Sequence, residues 1–132
     1  MADGQKAFEE PDCDYDESTK PGYVRIRLHI PGIEPRTAGS LSKILSKDPK
    51  AKNAKFIGPV CDIRSYDLKI VGEADLKDQN YMFTIKRLPF DIIPYKCTFE
   101  VQKNWVYVFL KKKEKDQSWE QHLRAGSLET SD

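Results

Sequence analysis

Residues 81–113, YMFTIKRLPFDIIPYKCTFEVQKNWVYVFLKKK, form the densest apolar and aromatic run in the chain. They read as three β-strands. Tyr81, Phe83 and Ile85 alternate with Met82, Thr84 and Lys86, and Cys97, Phe99 and Val101 alternate with Thr98, Glu100 and Gln102. Side chains two apart on a strand share a face, so each run buries one side and wets the other. Residues 105–110 are apolar on both sides, which suits a central strand or one covered twice. The short polar turn at 102–104 predicts an antiparallel hairpin between the last two runs. In the LPFDIIP segment between the first two, Pro89 and Pro94 each lack a backbone donor. That segment is expected to be an extended crossing that lays Phe90, Ile92 and Ile93 over an edge of the core.

Upstream, residues 23–30 read YVRIRLHI. Val24, Ile26, Leu28 and Ile30 take the core side, and Arg25, Arg27 and His29 face outward. Residues 56–63 form a shorter strand broken by Gly58 and Pro59, placed at an edge or bulge. Arg64 and Ser65 make a tight connection into YDLKIV at 66–71, with Tyr66, Leu68 and Ile70 on one face. A polar hairpin loop at 75–80 leads back to Tyr81. Six or seven short strands without a long helix predict an all-β, antiparallel β-sandwich.

The flanks are poor in core material. Residues 1–14 are expected to be an acidic flexible tail, with Tyr15 as the aromatic that pins it to the sheet. Residues 41–55 read as a lysine-rich insertion, with a short helical turn carrying Leu41, Ile44 and Leu45 under a Ser40 cap. Trp119 and Leu123 are expected to tuck back onto the domain, and residues 124–132 to form a second flexible tail.

Composition excludes several function classes. The chain has 132 residues, enough for one domain, 39% of them hydrophobic and 33% charged, with a formal net charge of +1. No basic footprint for nucleic acid exists. No apolar run reaches membrane-spanning length and no signal-peptide pattern is present, so no membrane partner is expected. Three cysteines at wide spacing point to free thiols in a reducing compartment, the cytoplasm or the nucleus. His29 and His122 lack metal-ligand spacing, and no CxxC pair, phosphate-binding loop or hydrolase elbow appears. Cys97, two residues from Phe99 on one strand face, is expected to be a buried inert thiol, because no base lies near it in sequence. The expectation is a non-enzyme without cofactor or metal.

What remains is a surface. Arg25, Arg27 and His29 share one strand face; Trp105 and Tyr107 share another, with Lys103 two residues before Trp105. Either Trp105 and Tyr107 face outward, or they enter the core and expose Val106, Val108 and Leu110. The outward arrangement is preferred, because three aliphatics on an open face would need a cover of their own. Aromatic rings beside arginine are typical of protein-binding patches.

The motif IPGI at 30–33, RSYDLKIV at 64–71, and the run from LPFDIIPYK to FLKKK followed by SWEQHL resemble the CS domain, the p-twenty-three-like (HSP20-like) fold shared by several co-chaperones. Calcyclin-binding (Siah-interacting) and Sgt-type ubiquitin-ligase adaptors are the nearest in pattern. The resemblance covers residues 15–123 and implies a seven-stranded sandwich without an active site. It implies binding to a chaperone of the heat shock protein 90 family through an exposed sheet face, onto which Tyr15, His29 and Trp105 map by strand position. The alternative it implies is an adaptor for ubiquitin-ligase components or calcium-sensor proteins. The partner-binding set expected is therefore Tyr15, Arg25, Arg27, His29, Lys103, Trp105 and Tyr107.

Overall fold

The computed structural model describes residues 7–35, 51–126 and 128. Among them, strands β1 (Phe8–Glu9), β2 (Asp12–Asp16), β3 (Tyr23–His29), β4 (Ala54–Asp62), β5 (Ser65–Gly72), β6 (Asn80–Ile85), β7 (Thr98–Gln102) and β8 (Trp105–Lys111) precede one short helix, α1 (Glu120–Arg124). The strands form two four-stranded sheets, ordered β1-β6-β5-β4 and β2-β3-β8-β7. All pairings are antiparallel except the two-residue β1, which runs parallel to β6. The all-β sandwich expected from the alternating runs is therefore present. Among the described residues, no helix is long and apolar enough to cross a membrane.

The core lies between the sheets. From the second sheet, Val24, Ile26, Leu28, Val106, Val108 and Leu110 are fully buried; Tyr66, Leu68, Ile70, Phe83 and Ile85 meet them from the first. Register delivers this arrangement. Val24 pairs with Leu110, Ile26 with Val108 and Leu28 with Val106, so apolar partners stack on one side of the ladder. Residues 88–93 cross from β6 toward β7 as the prolines required. Leu88 and Ile92 are buried in that crossing, and the Ile93 N–H donates to the Lys111 carbonyl at 2.9 Å. The bulge expected at Gly58 and Pro59 appears as a register shift between Ile57 and Val60 in β4, which is an edge strand.

Eight strands occur where seven were expected, and the difference lies in the N-terminal segment. Of the acidic tail expected over 1–14, residues 1–6 lie outside the described residues, and the remainder is instead β1, a sheet-to-sheet step at Pro11, and most of β2. The reason is an alternation that net charge conceals. Asp12, Asp14 and Asp16 point outward, while Cys13 and Tyr15 pack against the core. At the other end, Leu128 is buried although it falls in the expected C-terminal tail. The helical turn expected at 40–45 and most of the lysine-rich insertion lie outside the described residues. Of the insertion's described end, Lys52 faces Glu34 at 3.6 Å and Ala54 opens β4.

Two local constraints hold the periphery. Gly72 ends β5 where the chain wraps through a 3-10 turn at Ala74–Leu76; a Cβ there would lie 1.9 Å from the Leu76 carbonyl oxygen. Glu17 ties the C-terminal segment down. Its carboxylate accepts hydrogen bonds from Lys112 Nζ at 2.9 Å, Ser118 Oγ at 3.1 Å and the Trp119 backbone N–H at 3.1 Å. Trp119 is then fully buried against Phe90, with ring centroids 5.8 Å apart, as the expected tuck-back requires. Burial raises the Glu17 pKa, but the bonds from Lys112, Trp119 and Ser118 outweigh it and hold the carboxyl below its ordinary value.

Gly72→Ala is expected to destabilise the protein by about 3 kcal/mol, because backbone rather than a movable side chain occupies the site; urea denaturation measures it. The depressed Glu17 pKa sets a pH signature. Its stabilisation is complete above the ordinary carboxylate value of about 4.3 and is lost as pH falls through the lower folded-state value. Thermal melts of Glu17→Gln against the wild type should show a constant gap near neutrality that closes in acid.

Candidate functional site: the outer face of the second sheet

The second sheet turns its polar positions outward in rows that run across the strands. One row is Asp12, His29, Trp105 and Gln102; the next is Asp14, Arg27, Tyr107 and Glu100; the third is Asp16, Arg25, Phe109 and Thr98. Along β8 the outward file is Trp105, Tyr107 and Phe109, each half-buried, while Val106, Val108 and Leu110 are sealed inside. The outward option for Trp105 and Tyr107 is thus the one the fold takes. Two-sided apolarity of 105–110 means one face in the core and one aromatic face at the surface.

The cations are held in place over these rings. Arg27 forks onto Asp14, with Nε to Oδ1 at 2.7 Å and Nη2 to Oδ2 at 2.5 Å. Arg25 donates through Nε and Nη2 to Asp16 Oδ2 at 2.9 and 2.7 Å. With their heads fixed by β2, the guanidinium of Arg27 lies 5.0 Å from the Trp105 ring centroid and that of Arg25 lies 5.3 Å from Tyr107. His29 sits 4.6 Å from Trp105 between ring centroids. Lys20 reaches Tyr23 at 4.3 Å and Phe109 at 5.2 Å. Each such cation–ring contact is a modest electrostatic attraction to the face of the ring. The face is therefore aromatic at its centre and cationic above the rings, with aspartates at its β2 margin. Partial burial raises the Asp16 pKa, but hydrogen bonds from Thr19 and Arg25 bring it below the ordinary value, so this carboxylate stays charged well into acid.

Six of the seven expected residues fall on or beside this face. Arg25, Arg27, His29, Trp105 and Tyr107 are contiguous on it. Lys103 is exposed in the β7–β8 turn, next to Asn104, whose φ of 70° closes that turn. Tyr15 is the exception. It pairs with Ile26, an inward position, and packs against the core. Its hydroxyl receives the Cys13 thiol at 3.4 Å, and it lines a cavity of about 270 Å³ with Cys13, Phe83 and Leu128 on the far side of the sheet. The structure thus separates Tyr15 from the other six. The aspartates and Phe109 were missing from the expected set, although the D-x-D-x-D spacing of 12–16 was the signal for an outward acidic row.

A second concavity, of about 250 Å³, lies at the crossing segment and is lined by Arg64, Phe90, Asp91, Lys113, Glu114 and Trp119, among others. Its Arg64 is spent on structure, donating to the carbonyls of Leu88 at 3.1 Å and Pro89 at 2.5 Å. Among the described residues, no three or more His, Cys, Asp or Glu side chains cluster in a way that could hold a metal ion. No family model and no curated protein matches the chain.

Asp14→Asn is expected to release Arg27 from the Trp105 ring and shift tryptophan fluorescence, since Trp119 stays buried. The thermal midpoint should move little, because an exposed ion pair of this kind contributes little to stability. A large loss of stability with unchanged fluorescence would contradict the positioning role of Asp14.

Proposed function

We propose that this chain is a non-catalytic protein-docking module that binds a folded partner through the outer face of its second sheet. The observation that carries this reading is the file Trp105, Tyr107 and Phe109, standing half-exposed under arginines whose positions two aspartates fix. Binding buries the rings, and the planar guanidiniums can share their donors with partner carboxylates or carbonyls. Because the cations are already ordered, little side-chain freedom is lost on docking, which favours affinity without added contact area. Trp105 is the anchor; Arg25, Arg27, His29 and Lys103 form its polar surround.

The partner proposed is a chaperone of the heat shock protein 90 family, met in the cytoplasm or nucleus. The support is the resemblance of residues 15–123 to the CS domain, sharper from Arg64 onward, together with a two-sheet body that presents one sheet face outward. The pairing of Arg25 and Arg27 with Asp16 and Asp14 leaves the face close to charge balance. Its affinity should accordingly depend less on ionic strength than that of a polybasic surface.

Calorimetric titration of the chaperone into Trp105→Ala should show affinity weakened by about 2–4 kcal/mol, with the circular dichroism spectrum unchanged. Unaltered affinity would remove Trp105 as the anchor. Absence of binding by the wild-type chain, with and without nucleotide, would remove the chaperone as the partner.

A further inference from the structure

The outer face of the second sheet repeats one unit along its length. Each unit is a ring, a cation above it, and a carboxylate of β2 that fixes the cation. Trp105, Arg27 and Asp14 make one; Tyr107, Arg25 and Asp16 make the next. The row beyond them pairs Tyr23 with Lys111, and there the pattern breaks. β2 ends at Asp16, opposite Arg25, so it brings no carboxylate alongside Tyr23. The next acid in the chain, Glu17, is taken by Lys112, Ser118 and the Trp119 N–H.

Cations gather in that row all the same. Lys20 Nζ lies 4.3 Å from the Tyr23 ring centroid, and Lys111 Nζ lies 5.1 Å from it. Lys20 also reaches the Phe109 ring at 5.2 Å. Backbone geometry places both. Lys20 opens a tight turn through Pro21 and Gly22, closed by the Tyr23 N–H donating to the Lys20 carbonyl at 3.1 Å. Gly22 supplies the left-handed φ of 82° that a turn with proline before glycine requires. A Cβ on Gly22 would stand 2.9 Å from Lys111 Nζ, so the bare glycine gives that ammonium its place beside Tyr23. Two like charges drawn to one ring repel each other. Among the described residues, neither lysine meets a carboxylate within ion-pair distance. The Tyr23 hydroxyl adds an O–H donor to the two ammoniums.

We propose that Lys20, Tyr23 and Lys111 form a carboxylate-binding subsite at this end of the outer face, which takes an aspartate or glutamate side chain of the docked protein partner. The subsite rests on the docking function proposed above for its occupant and extends that interface by one row. The partner's carboxylate completes the row of Tyr23 as Asp16 completes the row of Tyr107. It accepts from the two ammoniums and relieves their mutual repulsion. The donors are two point charges and a phenol, not a guanidinium fork or a nest of backbone N–H groups. That set matches the single charge of a carboxylate better than a phosphoryl group. The forks of Arg25 and Arg27 are already neutralised by their own aspartates. The salt dependence that docking shows is therefore assigned to Lys20 and Lys111.

The test titrates the full chain, followed by amide NMR, with an oligoglutamate peptide and with its oligoglutamine counterpart. Saturable shifts are expected around Lys20, Tyr23 and Lys111 with oligoglutamate alone, fading as salt is raised. Lys20→Gln and Lys111→Gln should each weaken that binding about two- to fivefold, and the double variant should abolish it, with the rest of the spectrum unchanged. Lys113→Gln, in the exposed segment after β8, should leave it unaltered. No shifts with oligoglutamate, shifts spread over every lysine-bearing segment, or an equal loss in Lys113→Gln would overturn the subsite. A stronger response to inorganic phosphate than to oligoglutamate would overturn its preference for carboxylate. A second arm titrates the chaperone at low and high salt. Trp105→Ala should weaken binding and keep its salt dependence, whereas Lys20→Gln with Lys111→Gln should remove the salt dependence. Salt dependence that survives in the double variant would overturn the part of the subsite in docking. The two readings fail separately, because the peptide arm decides the subsite with no chaperone present.

Discussion

The pairing of β3 with β8 is the constraint on which the other elements depend. Seven consecutive residue pairs, from Tyr23 against Lys111 to His29 against Trp105, put fully buried aliphatics on one side and rings and cations on the other. Slipping that ladder by one residue would send Arg25, Arg27 and His29 into the core, so the hydrophobic pattern pins the register. Once it is set, the row order of the outer face follows, because β2 and β7 add to a fixed template. The surface proposed for docking and the core are two faces of a single choice of register.

The second tie is electrostatic. Lys112 is buried, and its ammonium meets Glu17 at 2.9 Å. A buried ion pair contributes little net energy by itself, but leaving either charge alone there is strongly unfavourable. Glu17 follows β2, Lys112 follows β8, and the same carboxylate caps the segment that carries Trp119. The segments that follow β2 and β8 are therefore fixed to each other by one carboxylate with three donors, Lys112, Ser118 and Trp119, and Trp119 packs on Phe90 beside it.

Much of this was legible in the residues. The alternations in 23–30, 66–71, 81–85 and 97–101 each became a strand with the expected face inward, and Pro89 and Pro94 marked a crossing. The N-terminal strands were hidden because a run of carboxylates reads as solvated chain. Only pairing with Arg25, Arg27 and His29 on β3 makes the acidic row of β2 a stable edge, and that partnership spans more than one strand. Tyr15 was misplaced for the same reason: once β2 exists, period two sends Tyr15 inward and its aspartate neighbours outward. The docking face was legible as a set of residue types, but its ordering by Asp14 and Asp16 was not.

The two sides along which the sheets meet are unequal, and this bears on how the molecule breathes. Where β1 passes into β2 the backbone is a spine that both sheets share, whereas the opposite edge strands β4 and β7 meet through the rings of Phe56 and Phe99. Motion that parts the layers therefore has a hinge on one side and, on the other, a margin tied at one end by the crossing at 88–93, like the covers of a book held by a clasp. Amide protons of β4 and β7 should trade with deuterated solvent well ahead of those in β3 and β8, with the gradient running from the fore-edge toward the binding.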